Sequence, residues 1–189
     1  MTAVVLKLPP PRLTDEAFLE ICQSNEDRQF ELTASGELVI MPPVGGESGE
    51  READYIYEVR SWSKRMQQGH VFSSSTIFKL PDGSKRSPDV AWIAPHRWSA
   101  LSASDRQKFP PIAPDFVLEL RSPSDDLRPL QEKLEAYLDN GVKLGFLINP
   151  QDQQVEIYRL GQAVEVRSLP TSLSGENVMP GFELVVPRF

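Results

Sequence analysis

Two stretches of this chain carry residue types that can hold a hard metal ion. Residues 114–126 read PDFVLELRSPSDD, and residues 87–93 read SPDVAWI. Each has a Pro-Asp pair leading into an apolar run. Glu119 and Arg121 lie two apart near the end of the first. Spacing sorts the carboxylates. Asp115 and Glu119 lie four apart on one extended segment, which separates their Cα atoms by roughly 13 Å. They face the same way but are too far apart to share one ion directly. Asp89 begins a different segment. Neighbouring strands lie about 4.8 Å apart, so Asp89 and Glu119 meet if the two segments pair. Two carboxylates with a backbone carbonyl and water make an oxygen site suited to Mg²⁺, with bonds of around 2.1 Å. Asp115 is expected to serve the strand start or a turn and to point away.

The chemistry also needs a cation. Side chains alternate along a strand, so Arg121 is expected on the same face as Glu119, where it can hold a phosphate. A guanidinium stays protonated and cannot easily give or take a proton. The nearest lysine of the following segment is Lys133. That segment sets Leu127, Leu130, Leu134, Tyr137 and Leu138 at helical spacing, and Lys133 lies roughly 90° from the centre of their stripe. From that boundary its long stem can reach back toward the strand edge, or it can simply cover apolar surface.

These residues need strands and helices to bring them together. Thr14 reads as the N-cap of a short helix with Asp15 and Glu16 in its first turn. QFELTASGELVIM, residues 29–41, alternates on both sides of Ser35-Gly36 and reads as a hairpin. A longer helix is expected over about 48–67, with Tyr55, Ile56, Val59, Trp62 and Met66 on one stripe. Extending the stripe by a turn lands on Glu52. HVFSSSTIFKL (70–80) and PDVAWIA (88–94) read as two strands with turn chemistry between them. Residues 95–113 read as an irregular excursion with a short helix near 99–107. FVLEL (116–120) is a strand apolar on both faces. A helix follows over about 126–140, with Gly141 as its stop. LGFLINP and QVEIYRL form a hairpin about Pro150-Gln151-Asp152, and AVEVRSL and FELVVP finish as strands. This order predicts an α/β or α+β domain built on one mixed sheet.

The chain has 189 residues, 40% hydrophobic and 25% charged, with net charge −7. That size favours one domain over 1–189, with residues 1–13, including Pro9-Pro10-Pro11, as a lead-in. No apolar run approaches the roughly 20 residues needed to span a bilayer, so no membrane partner is expected. The N-terminus lacks the basic start of a signal peptide. Cys22, the single cysteine, cannot form an internal disulfide, which fits a cytoplasmic location. It reads as a buried helix residue. An acidic chain is not a general nucleic-acid coat. It can still be an enzyme that meets a few phosphates through a local strip, here Lys79, Lys85, Arg86, Arg121 and Arg128. His70 and His96 stand alone and read as surface or strand-end residues.

Asp on one strand followed by Glu-x-Lys on the next resembles the PD-(D/E)XK nuclease superfamily. The ordered series MPPVGGESGERE, FKLPDGSKRSPDVAWI, PDFVLELRSPSDDL, LQEKLEAYLDNGVKLGFLINP and QVEIYR is more specifically similar to the Uma-two-type family of restriction endonucleases, over about residues 14–187. The resemblance implies a restriction-endonuclease-like core, a divalent ion (Mg²⁺ or Mn²⁺) and hydrolysis of DNA. It implies Asp89 and Glu119 as metal carboxylates. Arg121 departs from the superfamily's lysine, and the family pattern points to Lys133 in its place. It also implies an additional acidic residue near the first core helix. The loop motif favours Glu47 for that position and the helical stripe favours Glu52. A homodimer would suit cleavage of both strands of a duplex. The alternatives are a non-catalytic nuclease-fold module that binds nucleic acid or protein, and a purely structural or assembly protein.

Overall fold

The structure is a computed structural model that describes residues 3–10 and 13–189; Met1, Thr2, Pro11 and Arg12 lie outside the described residues, and with Pro11 part of the expected proline lead-in. A central sheet of six strands holds the core. Its members are β4 (His70–Ser73), β7 (Val90–Ile93), β8 (Phe116–Leu120), β9 (Leu144–Asn149), β10 (Gln154–Arg159) and β11 (Glu165–Ser168). The spatial order is β11-β10-β9-β8-β7-β4. β8 and β9 run parallel and the other pairs antiparallel, so the sheet is mixed. A parallel pair cannot be joined by a tight turn. Helix α5 (Leu127–Asp139) supplies the crossover, and Gly141 follows it at φ +94°, where a side chain would be strained.

Alternation along β8 divides the core in two. Phe116, Leu118 and Leu120 face the cluster built with Tyr55, Val59 and Trp62 of helix α2 (Gly46–Met66). Val117 faces the cluster built with Leu134 and Tyr137 of α5. Glu119 follows Val117 by two and so shares the α5 face. Gly145 of β9 lets α5 approach that face, because a Cβ there would come within 2.7 Å of Leu134 Cδ1. Gly145→Val is therefore expected to cost roughly 1–3 kcal/mol through overpacking. Thermal melting is expected to register it as a Tm drop of about 3–10 °C.

A second sheet carries the N-terminal part. Its strands are β1 (Val4–Lys7), β2 (Gln29–Leu32), β3 (Glu37–Met41), β5 (Phe78–Lys79) and β6 (Lys85–Arg86), in the order β1-β3-β2-β6-β5 and antiparallel throughout. The expected hairpin over 29–41 is β2–β3, turning at Gly36 with φ +88°. Phe30, Leu32 and Leu38 pack with Phe18 of α1 (Asp15–Ser24), which Thr14 caps by accepting from Ala17 N–H. Glu31 lies between Phe30 and Leu32 and so faces the other way. Leu32 pairs with Lys85, which sets Glu31 beside the segment leading to Asp89.

Several expectations are corrected. The expected mixed sheet is present, but it is not alone: it is joined by this five-stranded antiparallel sheet and by a hairpin of β12 (Thr171–Ser174) and β13 (Glu183–Val186). The stretch 70–80 is two strands in different sheets. Thr76 N–H donates to Ser73 O and turns the chain within the serine run. The lead-in contains β1. The excursion 95–113 holds two helices, α3 (Pro95–Ala100) and α4 (Ala103–Arg106).

Candidate active site

The antiparallel register Val90↔Leu118 places Asp89, one residue before β7, across from Glu119 on β8. Leu120 N–H donates to Asp89 Oδ2 at 2.7 Å, which fixes that carboxyl against the neighbouring strand. Tyr137 O–H donates to Glu119 Oε1 at 3.2 Å. Lys133, from the same helix as Tyr137, reaches the same oxygen at 2.9 Å. It is no surface lysine: it is only 7% exposed. Its ammonium also contacts Glu31 Oε1 at 2.8 Å and donates to Ser87 O at 3.1 Å.

Glu31 is the member of this cluster that sequence reasoning missed. Both of its oxygens are engaged. Oε1 also accepts from Ser87 N–H at 2.9 Å, and Oε2 accepts from Arg86 Nη1 at 3.0 Å. A glutamate between two inward apolar residues of a hairpin reads as the solvent face. The available signal was indirect: a basic pair, Lys85-Arg86, immediately precedes the Ser-Pro-Asp motif.

The electrostatics separate the acids. Burial pushes Glu119 up to about 8; Lys133 opposes the rise, and the charges of Asp89 and Glu31 add to it. Burial likewise pushes Asp89 up to about 7, against Lys133 and the Leu120 N–H, with Glu52 and Glu31 adding. Glu31 is held below the usual range: burial opposes its charge, but Lys133 and Arg86 outweigh burial. For Lys133 burial works against the charge and is overcome by Glu119, Glu31 and Asp89, so the ammonium persists.

The remaining candidates fall in different places. Glu52 accepts from Ser74 Oγ at 2.5 Å and its charge is felt at Asp89. Glu47 sits in the first turn of α2, exposed and paired to Arg51. Of the two, the structure turns Glu52 toward the cluster. Arg121 lies just past the end of β8, so the strand alternation that would set it beside Glu119 stops one residue short. Its guanidinium is held by Asp125 O, Asn149 Oδ1 and Asp152 at 3.1, 3.2 and 2.9 Å. Asp115 binds Ala94 N–H, Arg97 and Lys143 at the other end of β8 from Glu119. The expected basic strip is largely turned inward. Lys79 and Lys85 both pair with Asp15, Lys85 is buried, and Arg86 pairs with Glu31. Cys22 is half-buried on α1. His70 begins β4 with its ring against Trp98, and His96 lies in α3.

Comparisons with known proteins bear on the family and the fold. The Uma2 family, described as "Putative restriction endonuclease", matches residues 15–187. The chain belongs to the Uma2 family. A crystal structure of a "putative nuclease belonging to DUF820" from Anabaena variabilis ATCC 29413 superposes with a TM-score of 0.71 at 21% identity. The match covers 84% of this chain and 88% of that one. It shows that the Uma2 chain shares the fold of that protein, a mixed α/β fold consistent with a restriction-endonuclease-like core. No protein of curated function matches it.

A cavity of about 250 Å³ opens this Uma2 cluster to the outside and is lined in part by Asp89, Glu31, Ser87, Ser74 and Cys22. A larger cavity of about 790 Å³ shares only Ser75 and Ile77 with it and contains none of Asp89, Glu119 or Lys133. The smaller one borders two acids of the cluster, Asp89 and Glu31. Among the described residues no group of three or more His, Cys, Asp or Glu is arranged around one point for a metal. A site for Mg²⁺ needs only one or two protein carboxylates when substrate phosphate and water complete the shell. Asp89 and Glu119 fit that requirement: among the described residues their hydrogen bonds use Oδ2 and Oε1, and Oδ1 and Oε2 could meet a ligand.

Proposed function

We propose that this chain is a metal-dependent endonuclease that hydrolyses DNA phosphodiester bonds. The observation that supports it most is the clustering of Asp89, Glu119 and Lys133, with Asp89 bordering an open cavity. Asp89 and Glu119 would hold Mg²⁺ or Mn²⁺. When bound, such an ion polarises a phosphoryl oxygen and lowers the pKa of water. Lys133 keeps a full positive charge in a dry setting, where it stabilises charge developing on the phosphate. The Leu120 N–H holds Asp89 in place, and Tyr137 holds Glu119. Glu52 adds negative charge beside Asp89. Arg121 uses Nε and Nη1 on protein partners, which leaves Nη2 for a backbone phosphate at the rim. The net step adds water across one P–O bond. One such site cuts one strand, so a homodimer suits duplex cleavage.

The test is nicking of plasmid DNA. The parent is expected to cut with Mg²⁺ or Mn²⁺ and to stop with a chelator. Glu119→Gln keeps the size, removes the charge and is expected to abolish cutting. Parental cutting by Glu119→Gln would reject the site. A second reading is a non-catalytic module that binds nucleic acid or protein. The observation favouring it is the inward pairing of Lys85 and Arg86, which withdraws two cations of the expected strip from a duplex. Calorimetry separates the two readings, since the module has no reason to bind Mg²⁺.

A further inference from the structure

Lysine has three N–H donors and no acceptor. In this structure all three of Lys133 have partners: Glu31 at 2.8 Å, Glu119 at 2.9 Å and Ser87 O at 3.1 Å. A phosphate or water can gain a donor from Lys133 only if one of these contacts yields. The partners are not alike. Ser87 O is backbone. Glu31 is locked on both oxygens by Arg86 and the Ser87 N–H in addition to Lys133. Among the described residues, Glu119 accepts besides Lys133 from Tyr137 O–H alone, and that bond shares the oxygen taken by Lys133.

We propose that Glu31 is the positioning residue that anchors Lys133, and that the Lys133–Glu119 contact is the exchangeable one, released when the site takes up its ion and phosphate. This deepens the nuclease reading and rests on it. The anchor comes from the hairpin sheet, while Asp89, Glu119 and Lys133 belong to the central sheet and its crossover helix. The β2–β6 pairing at Leu32↔Lys85 thus joins the two halves of the site. The reason for such an anchor is charge balance. A Lys133 balanced only by Glu119 competes with a divalent ion for that carboxylate. A Lys133 balanced by Glu31 leaves Glu119 free to bind the ion.

Glu31→Gln tests this, because the amide retains the size and an acceptor oxygen but not the charge. The first readout needs neither metal nor DNA. Reductive methylation followed by mass mapping is expected to leave Lys133 protected in the parent and to label it several-fold faster in Glu31→Gln. The second is calorimetric titration with Mg²⁺ alone, where the variant is expected to bind several-fold more weakly. The third is cleavage, where kcat is expected to fall at least tenfold while KM for DNA stays within about twofold. Glu31→Asp keeps the charge with a shorter reach. It is expected to lie between the two, and it provides the same readouts if Glu31→Gln does not fold. A merely structural Glu31 would lower Tm while leaving Lys133 labelling and Mg²⁺ affinity at parental values, and that outcome overturns the proposal. A parent that neither binds Mg²⁺ nor cuts DNA ends the nuclease reading instead. In that case the labelling result still decides whether Glu31 anchors Lys133.

Discussion

Lys133→Ala is expected to cut DNA about 10²–10³-fold more slowly than the parent at saturating DNA and Mg²⁺, the usual cost of losing one group that stabilises transition-state charge. Substrate binding should be largely kept, because the phosphate contacts outside the cluster survive. The variant also carries a stability penalty. Removing the ammonium leaves Glu31 with the Arg86 cation and the Ser87 N–H, and takes from Glu119 its Lys133 partner. Breaking a buried ion pair from one side costs about 3–5 kcal/mol. The penalty has a direction in pH. Near pH 5 Glu119 and Asp89 are protonated, since they titrate at about 8 and about 7, so only Glu31 loses a charged partner. Near pH 8.5 all three acids press on one another. Urea unfolding at the two pH values is expected to show the larger loss at the higher one. Turnover is read at a denaturant-free temperature well below the variant's Tm. Lys133→Ala with parental kcat there would remove Lys133 from the chemistry. Arg121→Ala is the contrast. Its guanidinium ties the end of β8 to the β9–β10 turn through Asn149 and Asp152, so it should raise KM and lower Tm more than it lowers kcat.

The second large effect is a gain of stability on loss of function. Asp89→Asn should melt above the parent at pH 8 in the absence of divalent metal while cutting no DNA. The folded-state values of Asp89 and Glu119, about 7 and about 8, stand above the ordinary carboxyl values of 3.8 and 4.5. The folded state therefore binds more protons than the unfolded chain across that window. The stability contributed by the protonated forms is complete below about pH 4 and is lost as pH rises through 7 and 8. Asparagine cannot ionise, and its carbonyl can still accept from Leu120 N–H. For a group about three units out of range the difference is at most on the order of 4 kcal/mol. That corresponds to at most roughly 8–16 °C in Tm for a chain of this size. Adding Mg²⁺ should reverse the order, because a ligand raises the stability only of the form that binds it. The decisive measurement is a pair of melting curves from pH 5 to 8.5, with and without Mg²⁺. Parallel curves for parent and Asp89→Asn would mean that Asp89 is not the desolvated acid the proposal requires.

The acids and cations of the site were open to sequence reasoning to different degrees, and the differences have physical causes. Asp89 and Glu119 could be paired in advance because each sits at a fixed place on a short strand. Strand spacing and the period of two then leave few ways for them to meet. Lys133 was visible as a boundary residue of an amphipathic helix, but its burial was not. A lysine 90° off an apolar stripe looks the same whether it lies on solvent or under a second sheet. Glu52 and Glu47 could not be separated by pattern. The structure separates them because α2 begins at Gly46, leaving Glu47 in the exposed first turn and Glu52 one turn further in, against Ser74.

What the amino-acid sequence determined by itself is whatever depends on neighbours along the chain. That includes the cap at Thr14, the β2–β3 hairpin, the buried strand FVLEL, the crossover helix with its Gly141 stop, and the family resemblance carried by their order. These follow from local dihedral preferences and from hydrophobic periods of two and 3.6. The tertiary structure decided what depends on which surfaces meet. β1 pairs with β3, the serine run sends β5 into a different sheet from β4, and β12 forms although TSLS has only one buried apolar residue. Above all, it turned Glu31 from an apparent solvent-face residue into a buried partner of Lys133. A charge opposite an apolar strand face looks solvated until a second layer covers it. Here α5 covers that face and β6 lies beside β2 in the same sheet; both come from distant parts of the chain and bring in Lys133 and Arg86, the cations that keep that carboxylate ionised.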